Sequence, residues 1–190
     1  MARIDDIADL DDIADQYERH ISAPWQRNLP GAQRIVFVVY SKEDERKLTA
    51  KMKDFENRTT AAGHPWLEMD FTNVFPEWMT GESYPEEYFA APNLLDDKMK
   101  ADSAYGFTAH CVGRLRSVVT SAFATPESVV AVHGIGSIFG FATLHAILEK
   151  IQPDIRGRVV VFFPGSYDQN IYRLFDARDG WNYLATPIAC

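Results

Sequence analysis

The stretch RIVFVVY, Arg34–Tyr40, sets six apolar residues in a row behind an arginine, most of them β-branched or aromatic. A strand with one face in water alternates apolar and polar residues, whereas a run without alternation needs cover on both faces. That is the environment of an interior strand in a sheet sandwiched between helices.

Working outward, Ser41 and Asp44 resemble a capping box that opens a helix to about Ala62, with Leu48, Met52 and Phe55 inward and Gly63 ending it. A second strand fits Leu67–Thr72. From Asn73 to about Lys100 the prolines and aromatics allow only short helical pieces. Residues 103–124 suit a helix with Phe107, Cys111, Leu115, Val118 and Val119 inside. A third strand, Ser128–His133, leads through the turn GIGS into a helix from about Ile138 to Ile151, on which Phe141, Leu144, Ile147, Leu148 and Ile151 face inward. Gly157 precedes a fourth strand, Arg158–Phe163. A fifth fits Asn182–Ile188, behind an Asp179-Gly180 turn that can close a hairpin with Ile171–Phe175.

Upstream, Pro24, Pro30 and Gly31 separate the first strand from residues 4–21, where Ile4, Ile7, Leu10, Ala14, Tyr17 and Ile21 recur at steps of three or four. That spacing makes an amphipathic helix whose other faces are acidic. Two readings of it stand open: it packs on its own core, or it docks on a partner. Strands alternating with helices predict an α/β fold, a single three-layer domain over 1–190 with a mostly parallel sheet of about five strands flanked by helices. Residues 1–30 form its acidic helical arm or first helix, and 34–190 its core. Periodicity sets neither strand order nor oligomeric state.

A net charge of −8 with a pI near 5.1 argues against generic or sequence-specific nucleic-acid binding, which needs a clustered basic surface. Cys111 and Cys190 are far apart and belong to no paired motif, so both read as free thiols of a reducing compartment. The N-terminus lacks a basic flank and apolar run, and nowhere is there an apolar stretch of membrane-spanning length. The expectation is a cytoplasmic protein without a membrane partner.

Candidate chemistry centres on HGIGSIFG, His133–Gly140, at a strand-to-helix junction where open α/β sheets bind ligands. Gly134 and Gly136 would let backbone amides approach an anion or nucleotide, with Ser137 capping the helix. The spacing departs from G-x-G-x-x-G, and no Walker A sequence, nucleophile elbow or metal-ligand motif occurs. A tight structural turn therefore stands beside the ligand reading, no cofactor or metal is expected, and the balance leans away from an enzyme. His133 is the best placed of the five histidines, although the commoner role for such a residue is a bond to a nearby backbone carbonyl. After Pro164 the chain interleaves aromatics with charges. Tyr172, Arg173, Arg178 and Trp181 are the candidate partner-binding residues, because Arg, Tyr and Trp dominate interface cores; a structural cap over the sheet edge is the alternative.

GIGSIFGF (Gly134–Phe141), DIRGRVVVFFPGSY (Asp154–Tyr167) and NIYRLFDARDGWNYLATPI (Asn170–Ile188), in this order and at these separations, resemble the BrxB family of the BREX bacteriophage-exclusion systems. The likeness extends upstream to RIVFVVYSKEDERKL and the turn AGHPW. The resemblance implies a small cytoplasmic α/β component working beside an alkaline-phosphatase-like PglZ protein, a DNA methyltransferase and a large ATPase. It supplies no catalytic residues. The function expected from it is a non-catalytic adaptor or scaffold binding a PglZ-like partner; the alternative is a nucleotide- or phosphate-ligand sensor using the turn 134–140.

Overall fold

The computed structural model describes residues 10–100, 103–169, 171–175, 181, 182 and 185–189. β1 (Ile35–Tyr40) is buried at all six positions because it has a parallel neighbour on each side. β4 (Arg158–Asp168) runs in register from Ile35↔Val159 to Tyr40↔Pro164, and β7 (Thr186–Ile188) covers the other edge from Val36↔Thr186. With β2 (Trp66–Asp70) and β3 (Val129–His133), the parallel order is β2-β3-β4-β1-β7. The expected mostly parallel sheet, five strands wide, is present.

Alternate residues of these strands feed two cores. Phe37, Val39, Val132, Val161 and Phe163 join α3 (Val74–Thr80), α6 (Phe107–Val119) and α7 (Leu144–Ile151) on one face. Val36, Val38, Ala131, Val160 and Phe162 join α1 (Leu10–Ser22) and α2 (Glu45–Ala61) on the other. The α1 stripe Leu10, Ile13, Ala14, Tyr17 and Ile21 is wholly buried there, so for these residues the reading of the acidic helix on its own core holds; Ile4 and Ile7 lie outside the described residues. Tyr17 meets Phe55 edge-on at 5.2 Å, Phe55 meets Phe162 at 4.9 Å, and the Tyr17 hydroxyl lies 2.5 Å from Thr59 Oγ1. The acidic face is also engaged: Arg58 of α2 reaches Asp15 at 2.8 Å and Glu18 at 2.5 Å.

Four expectations need correction. Ser41 bonds the Glu43 carboxylate instead of capping, and a 3-10 turn over Lys42–Asp44 precedes α2. The helix expected from Ile138 begins only at Leu144: Gly140 takes φ +82°, a left-handed step that ends the 3-10 turn Ile135–Ile138 and its exit, and Phe141 is left 40% exposed. The helix expected over 103–124 is confined to α6, which starts after the extended Gly106. Finally, β4 does not stop at Phe163. Beyond Pro164 it leaves the parallel sheet and pairs antiparallel with β5 (Ile171–Leu174), which in turn pairs with β6 (Trp181–Asn182). The arms of the expected hairpin pair at Ile171↔Asn182 and Tyr172↔Trp181, while the Asp179-Gly180 turn lies outside the described residues; the last apolar run serves two sheets instead of forming one strand.

Between β2 and α6 the chain folds into α3, α4 (Pro85–Ala90), a 3-10 turn at Pro92–Leu95 and α5 (Asp96–Met99). Among the described residues no helix is long and apolar enough to cross a membrane.

Candidate functional site

At the carboxyl edge of the sheet, β2 and β3 end side by side and bring His133 between two carboxylates. Its Nε2 is 2.6 Å from Glu68 Oε1 and its Nδ1 is 3.6 Å from Asp70 Oδ1. His133 thus meets acids of the neighbouring strand, where a backbone carbonyl was expected. Thr72 donates from both its amide and its hydroxyl to Asp70 Oδ1, at 2.8 and 2.6 Å.

The two glycines of the following turn are closely covered by the protein itself. Gly134 has φ +69°, and a Cβ there would sit 2.5 Å from Asp70 Oδ1 and 2.7 Å from the Thr72 amide. A Cβ on Gly136 would lie 2.7 Å from the Phe175 ring. Ser137 is exposed and caps no α-helix, since α7 is preceded by Thr143. With Glu68 and Asp70 at its mouth, this edge carries negative charge, which opposes an anion at Gly134, Gly136 and Ser137. Beside it lies an apolar cavity of about 230 Å³ lined by Ile135, Ile138, Phe139, Leu144 and Leu174.

The C-terminal candidates separate. Tyr172 is 1% exposed; its ring packs 4.5 Å from Phe37 and 4.7 Å from Tyr167, and its hydroxyl donates to the Ala185 carbonyl at 3.2 Å. Burial pushes its phenol pKa upward. Tyr172 is accordingly a core residue and not part of a partner-facing surface, because its alternation on β5 points it at the sheet. Arg173, next along β5, is half-buried opposite Ser166. Trp181 is placed by its pairing with Tyr172, while Arg178 lies outside the described residues.

A cavity of about 870 Å³ opens at the opposite, amino edge of the sheet. Arg27, Arg34, Arg156 and Arg158 line it together with Trp25 and His64. Arg34 ties its walls together: Nε donates to Leu29 O at 2.9 Å, Nη1 to Ile155 O at 2.8 Å and Arg156 O at 3.0 Å, and Nη2 to Arg27 O at 3.3 Å. Arg158, only 8% exposed, lies over the Trp25 ring at 4.8 Å and donates to Gln26 O at 3.1 Å. Trp25 in turn stacks on His64 at 3.8 Å. Gly157 makes the arrangement possible, because a Cβ there would fall 2.1 Å from Ser128 O.

These arginines escaped the sequence reading for a definite reason. Arg34 and Arg158 open two strands far apart in sequence, and become neighbours only once β1 lies beside β4. The one local signal is the pair Arg156 and Arg158 around Gly157. Among the described residues, no three His, Cys, Asp or Glu side chains converge as a metal site.

A parallel sheet covered on both faces, with an acidic carboxyl mouth and a guanidinium-lined amino cavity, defines an α/β protein. Residues 87–188, more than half of the chain, match the family described as BREX protein BrxB. The chain belongs to the BrxB family, and this membership makes it a component of a BREX phage-defence system, with the other BREX components as its partners. The matched residues include β3, β4 and the hairpin but not RIVFVVY or AGHPW. Comparison with curated proteins and with solved structures finds no match.

Proposed function

We propose that the chain is a non-catalytic adaptor of its BREX system that holds a PglZ-like, alkaline-phosphatase-superfamily component. The observation that carries this reading is the surface of the stretch between α3 and α6. Tyr84, Phe89, Leu94 and Tyr105 are 66%, 73%, 50% and 90% exposed there, four of the seven large apolar side chains left exposed among the described residues; Phe123, Phe139 and Phe141 lie elsewhere. Apolar side chains concentrated on a surface mark a place where another protein excludes water. Arg173, half-exposed on β5, and Arg178 are the charged residues assigned to the same partner.

The test is affinity purification from cells carrying the whole defence cluster, read by mass spectrometry. The adaptor reading expects a PglZ-type protein to co-purify, and expects F89S/Y105S to lose it while circular dichroism stays native. Charge reversal at Arg173 and Arg178 tests the second patch in the same way. Retained binding by a folded variant removes that patch from the interface. Failure of the wild-type chain to retain any system component overturns the adaptor reading.

A further inference from the structure

We propose that the cavity at the amino edge of the sheet is a binding site for a small phosphoryl-bearing anion, gripped by Arg27 and Arg156 at its rim and held by the fixed positive charge of Arg34 and Arg158 behind them. Four arginines line it against two acids, Glu127 and Asp154, and Asp154 is already committed to Arg116 at 2.8 Å. Among the described residues none of the four has a carboxylate at ion-pairing distance; those described as bonded donate to backbone carbonyls. Carbonyls satisfy guanidinium hydrogens but leave the positive charge uncompensated, and a buried cation without a counter-charge is costly.

Two groups report the resulting field. Burial and the neighbouring Arg34 push the Arg158 guanidinium below its ordinary value. Burial and Arg158 likewise hold the His20 imidazole below its own. An anion in the cavity would relieve both.

The size and the charge distribution select the ligand. About 870 Å³ lies within the range of small-molecule sites, roughly 300–1,000 Å³. Guanidinium forks match phosphoryl oxygens two at a time, and forks approaching from the 27–34 loop and from the 156–158 turn suit an anion with oxygens in several directions better than a planar carboxylate. A long polyanion such as nucleic acid is disfavoured, since it would also lie along the surface of a chain whose net charge is −8. The walls are preformed: Arg34 is fixed by its four carbonyl bonds, and Arg158 by Trp25 and Gln26. Arg27 and Arg156 are exposed at the rim, Arg156 with one bond to Ala124 O at 3.1 Å, and both can turn toward a ligand. This site is independent of the adaptor surface and stands or falls separately from it.

The experiment titrates the full chain with inorganic phosphate, pyrophosphate and tripolyphosphate at constant ionic strength, followed by thermal shift and calorimetry. The expected result is a saturable rise in melting temperature that strengthens from phosphate to tripolyphosphate. R27Q/R156Q, which alters two exposed side chains, should weaken tripolyphosphate at least tenfold with an unchanged ligand-free melting temperature, and R114Q, outside the cavity, should not. No saturable shift up to about 10 mM of any phosphate overturns the proposal, because even weak ligand in large excess over its dissociation constant stabilises measurably. Equal affinity in R27Q/R156Q overturns it as well. So does a response to a poly-glutamate peptide alone, which would make the site a receptor for an acidic protein segment.

Discussion

The contact between α1 and α2 rests on a short proton chain whose direction can be deduced and tested. Thr59 Oγ1 donates to the Phe55 carbonyl at 2.7 Å, so its one hydrogen is committed and its oxygen can only accept from the Tyr17 hydroxyl at 2.5 Å. Both side chains are fully buried. Tyr17→Phe removes the donor and leaves Thr59 with its own bond intact, a loss of about 1 kcal/mol. Thr59→Val keeps the shape but strands a phenolic hydroxyl without partner or water, which costs about 1–3 kcal/mol. The double variant removes both polar groups and should cost less than the sum of the two singles. For a chain of this size each kcal/mol corresponds to about 2–4 °C in Tm. Urea unfolding monitored by tryptophan fluorescence gives the three free energies. Strict additivity, or Tyr17→Phe costing as much as Thr59→Val, would refute the assigned direction; three variants with wild-type midpoints would refute the docking of α1 on its own core.

Other outcomes follow from the same geometry. Gly157→Ala forces a Cβ to 2.1 Å from Ser128 O and 2.9 Å from Thr125 O, both backbone atoms, and should cost about 3 kcal/mol in a denaturant titration. Cys111 is buried and its thiol is pushed up to about 12, so iodoacetamide at neutral pH should label its peptide only after denaturant is added. Arg58→Ala breaks the links to Asp15 and Glu18 on α1 and to Asp54 on α2. It should cost about 1 kcal/mol, and the loss should shrink in concentrated salt.

What the sequence discloses here is what local physics controls. The unbroken apolar run 35–40 announces an interior strand because burial on both faces leaves no place for a polar residue, and the stripe on α1 is legible because its spacing matches the helical turn. The start of α7 is hidden in the sequence because Gly140 interrupts a pattern whose apolar residues continue on either side of it. The burial of Tyr172 is hidden for a different reason. Its neighbours Arg173 and Ile171 alternate with it along β5, and only the sheet shows which side meets Phe37 and Phe163. The arginine cavity lay furthest from view, since it depends on strand order, which no periodicity encodes. The resemblance to the BrxB family, carried by the segments from Gly134 to Ile188, was legible as words before their geometry was known, and the family match covers those same segments.

The position of β1 bears on how the chain is made. It is synthesised well before either of its neighbours, which lie more than 120 residues further on: Ile35 pairs with Val159 and Val36 with Thr186. A nascent chain on the ribosome therefore carries this apolar segment with both edges unpaired until β4 and β7 have emerged. Pairing across such separations is slow, and open apolar edges invite aggregation in the interval. Products that stop before β4 and β7 would have no partner for β1, so residues 159–164 and 186–188 decide whether residues 35–40 can stay in solution.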